Sequence, residues 1–190
     1  MDIRQAIENS IAVKKSIIND ISLIQIIDKA AEEIIAAIKN GGKVLFCGNG
    51  GSAADAQHLA AELSGRYYYD RDPLPAEALH VNTSYLTAVA NDYGYDEIYS
   101  RLVKGIGKKG DILVGLSTSG NSQNIIKAFE MATSKGMITI GLTGASGGKM
   151  KDISNYLIKV ASCDTPRIQE SHIMIGHINC EIVESKLFPK

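Results

Sequence analysis

The chain has few cysteines, almost no net charge and no long apolar run, and each shortage removes a class of protein. Its three cysteines, Cys47, Cys163 and Cys180, are odd in number and form no C-x-x-C pair. That argues against a disulfide framework and for a reducing, cytoplasmic setting. A formal net charge of −1, with no extended Lys/Arg run, leaves no electrostatic footprint for nucleic acid. No stretch approaches the roughly 18 to 20 apolar residues that cross a bilayer, so no membrane role is expected. The opening MDIRQAIENS carries acids and lacks the apolar centre of a signal peptide. What is present is ordinary: 45% hydrophobic and 22% charged residues in a chain of 190. A single globular domain over 1–190, with its own core, is expected.

Residues 1–40 read as helical, because isoleucines recur at spacings of three and four, as in Ile17, Ile21, Ile24 and Ile27, and again in Ile34, Ile35 and Ile38. Asn40-Gly41-Gly42 ends this segment. Five short apolar segments follow as strands: 43–47, a weaker one at 78–81, then 111–116, 137–142 and 156–160. Helices are expected between them, for example over 122–135, and a last one over 167–186. Nearly continuous apolar strands alternating with helices predict an α/β fold, a three-layer αβα sandwich with its parallel sheet covered on both faces.

Two strand exits have the composition of an anion site. In Gly48-Asn49-Gly50-Gly51-Ser52 the glycines let backbone approach a ligand, and Ser52 is placed to cap the following helix, with Asp55 three residues on as a short-armed capping box. In Ser117-Thr118-Ser119-Gly120-Asn121-Ser122, hydroxyls precede a helix N-terminus and can surround a phosphate with neutral donors. The same compositions also serve ordinary turns and caps. Neither loop carries the Lys of a P-loop. Gly48 to Ala53 fits G-x-G-x-x-[GA], but the acid that holds a dinucleotide ribose is missing where the next strand ends.

His58 and Glu62 stand four apart and share one face of the helix that the glycine turn starts. Alone, such a pair fits an exposed ion pair as well as a site. The alanines around it (53, 54, 56, 60, 61) give the helix a small face suited to close packing. On the last helix Gln169 and His177 are eight apart, about 12 Å along the axis, and reach one ion only if it lies between them. His172, in an apolar stretch, reads as structural.

The segments CGNGGSAADAQHLAAELSGRY (47–67), ANDYGY (90–95), LSTSGNS (116–122), LTGASGGKM (142–150) and RIQESHIMIGH (167–177) occur in order along nearly the whole chain. Together they resemble the phosphoheptose isomerase family of the sugar isomerase (SIS) fold. The resemblance implies a five-stranded parallel sheet between helices, preceded by N-terminal helices that serve oligomerisation. It also implies a homotetramer whose active sites lie between subunits, which would account for the meeting of the two motif-bearing helices. One Zn²⁺ per subunit is implied on His58, Glu62, Gln169 and His177. Catalytic acid–base roles fall on Glu62 and His177. Substrate-binding positions match Asn49, Gly50, Gly51, Glu62, Asn91, Asp92, Ser117, Thr118, Ser119, Ser122 and Gln169. The implied reaction is ketose–aldose isomerisation of sedoheptulose 7-phosphate, a phosphorylated seven-carbon sugar. Its product, D-glycero-D-manno-heptose 7-phosphate, would feed nucleotide-activated heptose and surface polysaccharide synthesis. The family also holds a non-catalytic branch that binds the replication initiator protein. That branch departs at the catalytic Glu and His, both of which this sequence keeps.

Overall fold

A computed structural model describes residues 2–190. Two helices come first, α1 (Ile3–Asn19) and α2 (Ile21–Lys39). The continuous helical segment expected over 1–40 is interrupted at Asp20, which ends α1 and caps α2 by accepting a hydrogen bond from Leu23 N at 3.0 Å. A short polar side chain at such a junction satisfies N–H groups that the new helix leaves open.

The strands are β1 (Val44–Gly48), β2 (Ala76–Ala78), β3 (Ile112–Ser117), β4 (Ile138–Thr143) and β5 (Tyr156–Lys159). All pairings are parallel, in the order β2-β1-β3-β4-β5. Between and after them run α3 (Gly51–Ser64), α4 (Thr83–Tyr93), α5 (Ile98–Ile106), α6 (Gln123–Ser134) and α7 (Thr165–Leu187). The weak strand expected at 78–81 lies earlier. Only Ala76–Ala78 pairs with β1, and Leu79 N makes one last bond to Phe46 O before the chain turns.

Alternation along the strands builds two cores. Val44 and Phe46 of β1 face a cluster shared with α2, α3 and α7, whereas Leu45 and Cys47 face one shared with α5 and α6. The sheet is thus covered on both faces, as a parallel sheet of continuous apolar strands requires. The order places β2 on one side of β1 and β3 on the other, so successive connections leave β1 and β3 in opposite directions. That is the switch point at which open α/β sheets form a ligand crevice. The two anion-type loops, after β1 and after β3, are the walls of that crevice.

On the first face α3 and α7 pack against each other within one chain. Gly176 makes the approach possible, since a Cβ there would overlap the Leu59 side chain. The two motif-bearing helices therefore meet without a second subunit, contrary to the expectation that an interface brings them together.

Candidate active site

The glycine turn departs from the capping arrangement expected of it. Gly50, at φ 57°, is the N-cap of α3, and no side chain caps the helix. Ser52 lies inside the helix and is buried. Asp55 makes no capping bond; its Oδ2 is buried without a partner, and burial raises its carboxyl above the ordinary range against the pull of nearby His58. The backbone N–H groups at the start of α3 thus have no side-chain competitor.

Asn49 is held from three directions. Its side-chain amide exchanges hydrogen bonds with that of Asn124, each at 2.9 Å, and its Oδ1 also accepts from the Tyr95 hydroxyl at 3.1 Å. Asn124 sits in the first turn of α6, so this pair ties the exit of β1 to the exit of β3 across the crevice. Tyr99 adds a bond from its buried hydroxyl to Gly48 O. Neither Asn124 nor Tyr99 is among the expected site residues. A buried Asn in the first turn of a helix that faces a glycine loop is a signal legible only after the strand order is known.

In the second loop the hydroxyls of Ser117 and Ser122 lie 3.0 Å apart, and Ser119 Oγ accepts from Asn121 N at 3.1 Å. The Asn121 side chain accepts from Lys149 N at 3.0 Å, and Thr118 O accepts from Gly144 N at 3.0 Å, so the segment after β4 braces this loop. Thr118 is half-buried and Ser119 exposed beside it. Asn91 and Asp92 occupy the last turn of α4, exposed, with Asn91 Nδ2 donating to Asp92 Oδ1 at 2.9 Å. Among the described residues, no side-chain hydrogen bond joins them to the other expected residues. Tyr95, three residues beyond, provides the link to Asn49.

Along α3 the chemistry changes from neutral to ionisable groups. His58 Nε2 lies 3.2 Å from Glu62 Oε1 and 3.0 Å from His177 Nε2. One donor atom from each of the three residues falls within 4.8 Å of the others. Tetrahedral zinc with ligand bonds of 2.0–2.1 Å sets its donors about 3.4 Å apart, and the 3.0 and 3.2 Å separations from His58 lie close to that spacing. Two imidazoles and a carboxylate suit that chemistry. The Gln169 amide lies over Gly51: a Cβ there would stand 2.5 Å from Gln169 Nε2. The four expected metal positions thus divide into a triad drawn from α3 and α7 and a glutamine near the start of α7.

Two further groups border the triad. The Tyr67 ring lies 5.9 Å from that of His177, centroid to centroid, and burial first of all pushes its hydroxyl up to about 12. Arg71 and Glu184 form a buried ion pair at 3.0 Å directly behind Glu62. Arg71 lies in a loop whose composition reads only as a polar connection, so sequence offers no signal for it. His172 is structural as expected: it is fully buried, its ring N–H donating to Thr143 O at 3.2 Å.

Two neutral, hydroxyl- and glycine-rich loops at a sheet switch point, with a His–Glu–His triad on the helix that leaves one of them, are the features of an α/β domain for phosphorylated small molecules. Residues 9–144 match the model of the SIS domain family. A phosphoheptose isomerase of Aneurinibacillus thermoaerophilus is 54% identical over 98% of this chain and 94% of its own length. Phosphoheptose isomerase 2 of Campylobacter jejuni is 55% identical over 96% and 90%. The solved phosphoheptose isomerase of Francisella tularensis superposes with a TM-score of 0.92 at 39% identity, covering 96% of each chain. The chain belongs to the SIS domain family and, within it, to the phosphoheptose isomerases.

Proposed function

We propose that this chain converts sedoheptulose 7-phosphate to D-glycero-D-manno-heptose 7-phosphate. The observation that carries this reading is the joining, in one chain, of a neutral anion crevice to the His58–Glu62–His177 triad. The hydroxyls of Ser117, Thr118, Ser119 and Ser122 and the N–H groups that follow Asn49, Gly50 and Gly51 receive the sugar phosphate. Asn91, Asp92 and Gln169 contact the sugar chain. Its reacting end then lies along α3, on the triad.

Isomerisation moves hydrogen from C1 to C2. The Glu62 carboxylate removes a proton from C1 while the C2 carbonyl oxygen gains one from His177, giving an enediol. The proton then returns to C2 as the C1 hydroxyl loses its own to His177, and the aldose forms. Each well-placed acid or base is typically worth ~10²–10⁴-fold. Zn²⁺ held by His58, Glu62, Gln169 and His177 supplies Lewis-acid polarisation of the sugar oxygens when bound. A carboxylate bound to metal is a weaker base, so the two roles compete for Glu62.

A homotetramer in the cytoplasm completes the reading. It is supported by exposed isoleucines on α1 and α2, among them Ile18 at 69% and Ile21 at 71%, and by three free cysteines. Among the described residues, no helix is long and apolar enough to cross a membrane. The test is incubation of the zinc-loaded protein with sedoheptulose 7-phosphate, followed by NMR. New aldose anomeric signals are expected. Their absence overturns the reading, and capture of the replication initiator instead would favour the binding branch of the family.

A further inference from the structure

We propose that the buried Arg71–Glu184 pair is the positioning element of the site, locking the C-terminal turn of α3, and with it Glu62, against the face of α7 that carries His177. The inference rests on the isomerase reading above and adds to it two residues that never touch the substrate.

The geometry is a closed circuit. Glu184 and His177 are seven residues apart on α7, two turns, and so share one face. Glu184 Oε1 accepts from Arg71 Nε at 3.0 Å and from Tyr67 N at 2.9 Å, and its Oε2 accepts from Tyr68 N at 2.8 Å. Arg71 Nη2 donates to the backbone carbonyl of Glu62 itself at 2.9 Å. Its Nη1 is shared among the carbonyls of Leu63 (2.9 Å), Gly65 (3.1 Å) and Asp72 (2.9 Å). The guanidinium thereby satisfies carbonyls that the end of α3 leaves open, with its charge at the favourable pole of the helix. Glu184 fixes Tyr67 and Tyr68, three and four residues beyond the end of α3, and Tyr67 lays its ring beside His177. Apart from the bond within the pair and the one to Asp72 O, the pair's hydrogen bonds go to the end of α3 that carries Glu62 and to the Tyr67–Tyr68 backbone beside His177.

Stability alone does not call for this arrangement. The two side chains are 2% and 1% exposed. At that burial the desolvation of both charges offsets their attraction, and a well-packed apolar pair commonly does as well. What an apolar pair cannot supply is direction. A planar fork that holds four carbonyls and a carboxylate sets the height and rotation of the last turn of α3. Lysine, with one nitrogen, retains the charge and loses the fork.

Arg71→Lys is the discriminating variant, with the double replacement Arg71→Met and Glu184→Leu as a second that restores apolar packing. Turnover of sedoheptulose 7-phosphate is expected to fall 10- to 100-fold in both, with KM within about threefold, since small misplacement of reacting groups costs that much. The chain has four histidines, so their ring NMR signals can be told apart. Those of His58 and His177 should move in both variants, while those of His80 and His172 stay. Val103→Ala, buried beyond the sheet on α5, should lower the unfolding midpoint and leave kcat unchanged. Wild-type kcat in a folded Arg71→Lys or in the double variant overturns the proposal. So does a kcat loss with unmoved His58 and His177 signals, which would assign the pair to simple stability. An inactive wild-type protein would instead overturn the isomerase reading on which the proposal stands.

Discussion

Glu62 and His177 face each other across a few ångströms with His58 between them, and among the described residues no further His, Cys, Asp or Glu joins the triad. Glu62→Gln keeps the shape and removes the base, so turnover should fall ~10²–10⁴-fold with an unchanged unfolding midpoint. His177→Gln should behave alike. If the two act as one unit, the double variant loses far less than the product of the single effects, which steady-state kinetics on the three proteins will show. Gly51 gives a subtler test. The nearest atoms a methyl group there would meet all belong to the end of the flexible Gln169 side chain, so Gly51→Ala should fold normally. By displacing Gln169 it should lower activity with the triad intact. In the second loop, Ser119→Ala and Ser122→Ala should raise KM for the phosphorylated sugar more than for its unphosphorylated analogue. Equal effects on both sugars would remove the phosphate from this loop.

Helix α7 carries groups with opposite duties at successive turns. His177 faces the site, whereas His172 is packed against β4 with no exposure. Burial pushes the His172 imidazole down to about 4, against the opposing effect of the Thr143 carbonyl. The unfolded chain binds that proton from about pH 6.5 downward, and the folded chain only near pH 4. The stability linked to neutral His172 is therefore complete above pH 6.5 and is lost as pH falls to about 4, on the order of 3 kcal/mol. Denaturant unfolding at pH 7, 5.5 and 4 should show this slope, and His172→Gln should flatten it whatever its stability at pH 7. For Glu184, burial acts to raise the carboxyl, but the Tyr68 and Tyr67 N–H groups and Arg71 outweigh it and hold the pKa below the usual range. Its contribution is thus present above the ordinary carboxylate range and lost only in stronger acid, which separates it from the His172 limb.

At the scale of the whole molecule the unusual feature is the outer surface of the first two helices. Ile3, Ile7, Ile11, Ile18, Ile21 and Ile24 are all exposed in a single chain. An apolar cleft between α1, α2 and α7 adds Met174, Ile178 and Ile182 to this surface. Obligate interfaces are apolar in this manner. Sedimentation should find a tetramer, and charged replacements such as Ile18→Lys with Ile21→Lys should dissociate it. Because Glu62 and His177 meet within one chain, refolded mixtures of inactive Glu62→Gln and His177→Gln proteins should recover no activity once mixed tetramers are confirmed. Recovery would show that the catalytic pair is drawn from different subunits.

Much of this was legible in the residues. The periodicity of 1–40 and the five apolar segments are local properties, so the element types, the layered architecture and most boundaries could be read directly. The exceptions lie where local pattern is weakest: the break at Asp20, and a second strand only three residues long whose pairing depends on β1. The motif residues were equally visible, since a glycine turn, a serine loop and His58 with Glu62 on one helix face are matters of spacing. Their assembly was not. Strand order decides that the loops after β1 and β3 face each other, and long-range packing through Gly176 and Leu59 decides that His177 reaches α3. Asn124, Tyr95, Arg71 and Glu184 have no distinguishing local pattern because the pairings Asn49–Asn124, Asn49–Tyr95 and Arg71–Glu184 span 46 to 113 residues of chain. Sequence alone determined which groups could do the chemistry; only the tertiary structure, by bringing distant backbone and charge into contact, decided which of them meet and what holds them in place.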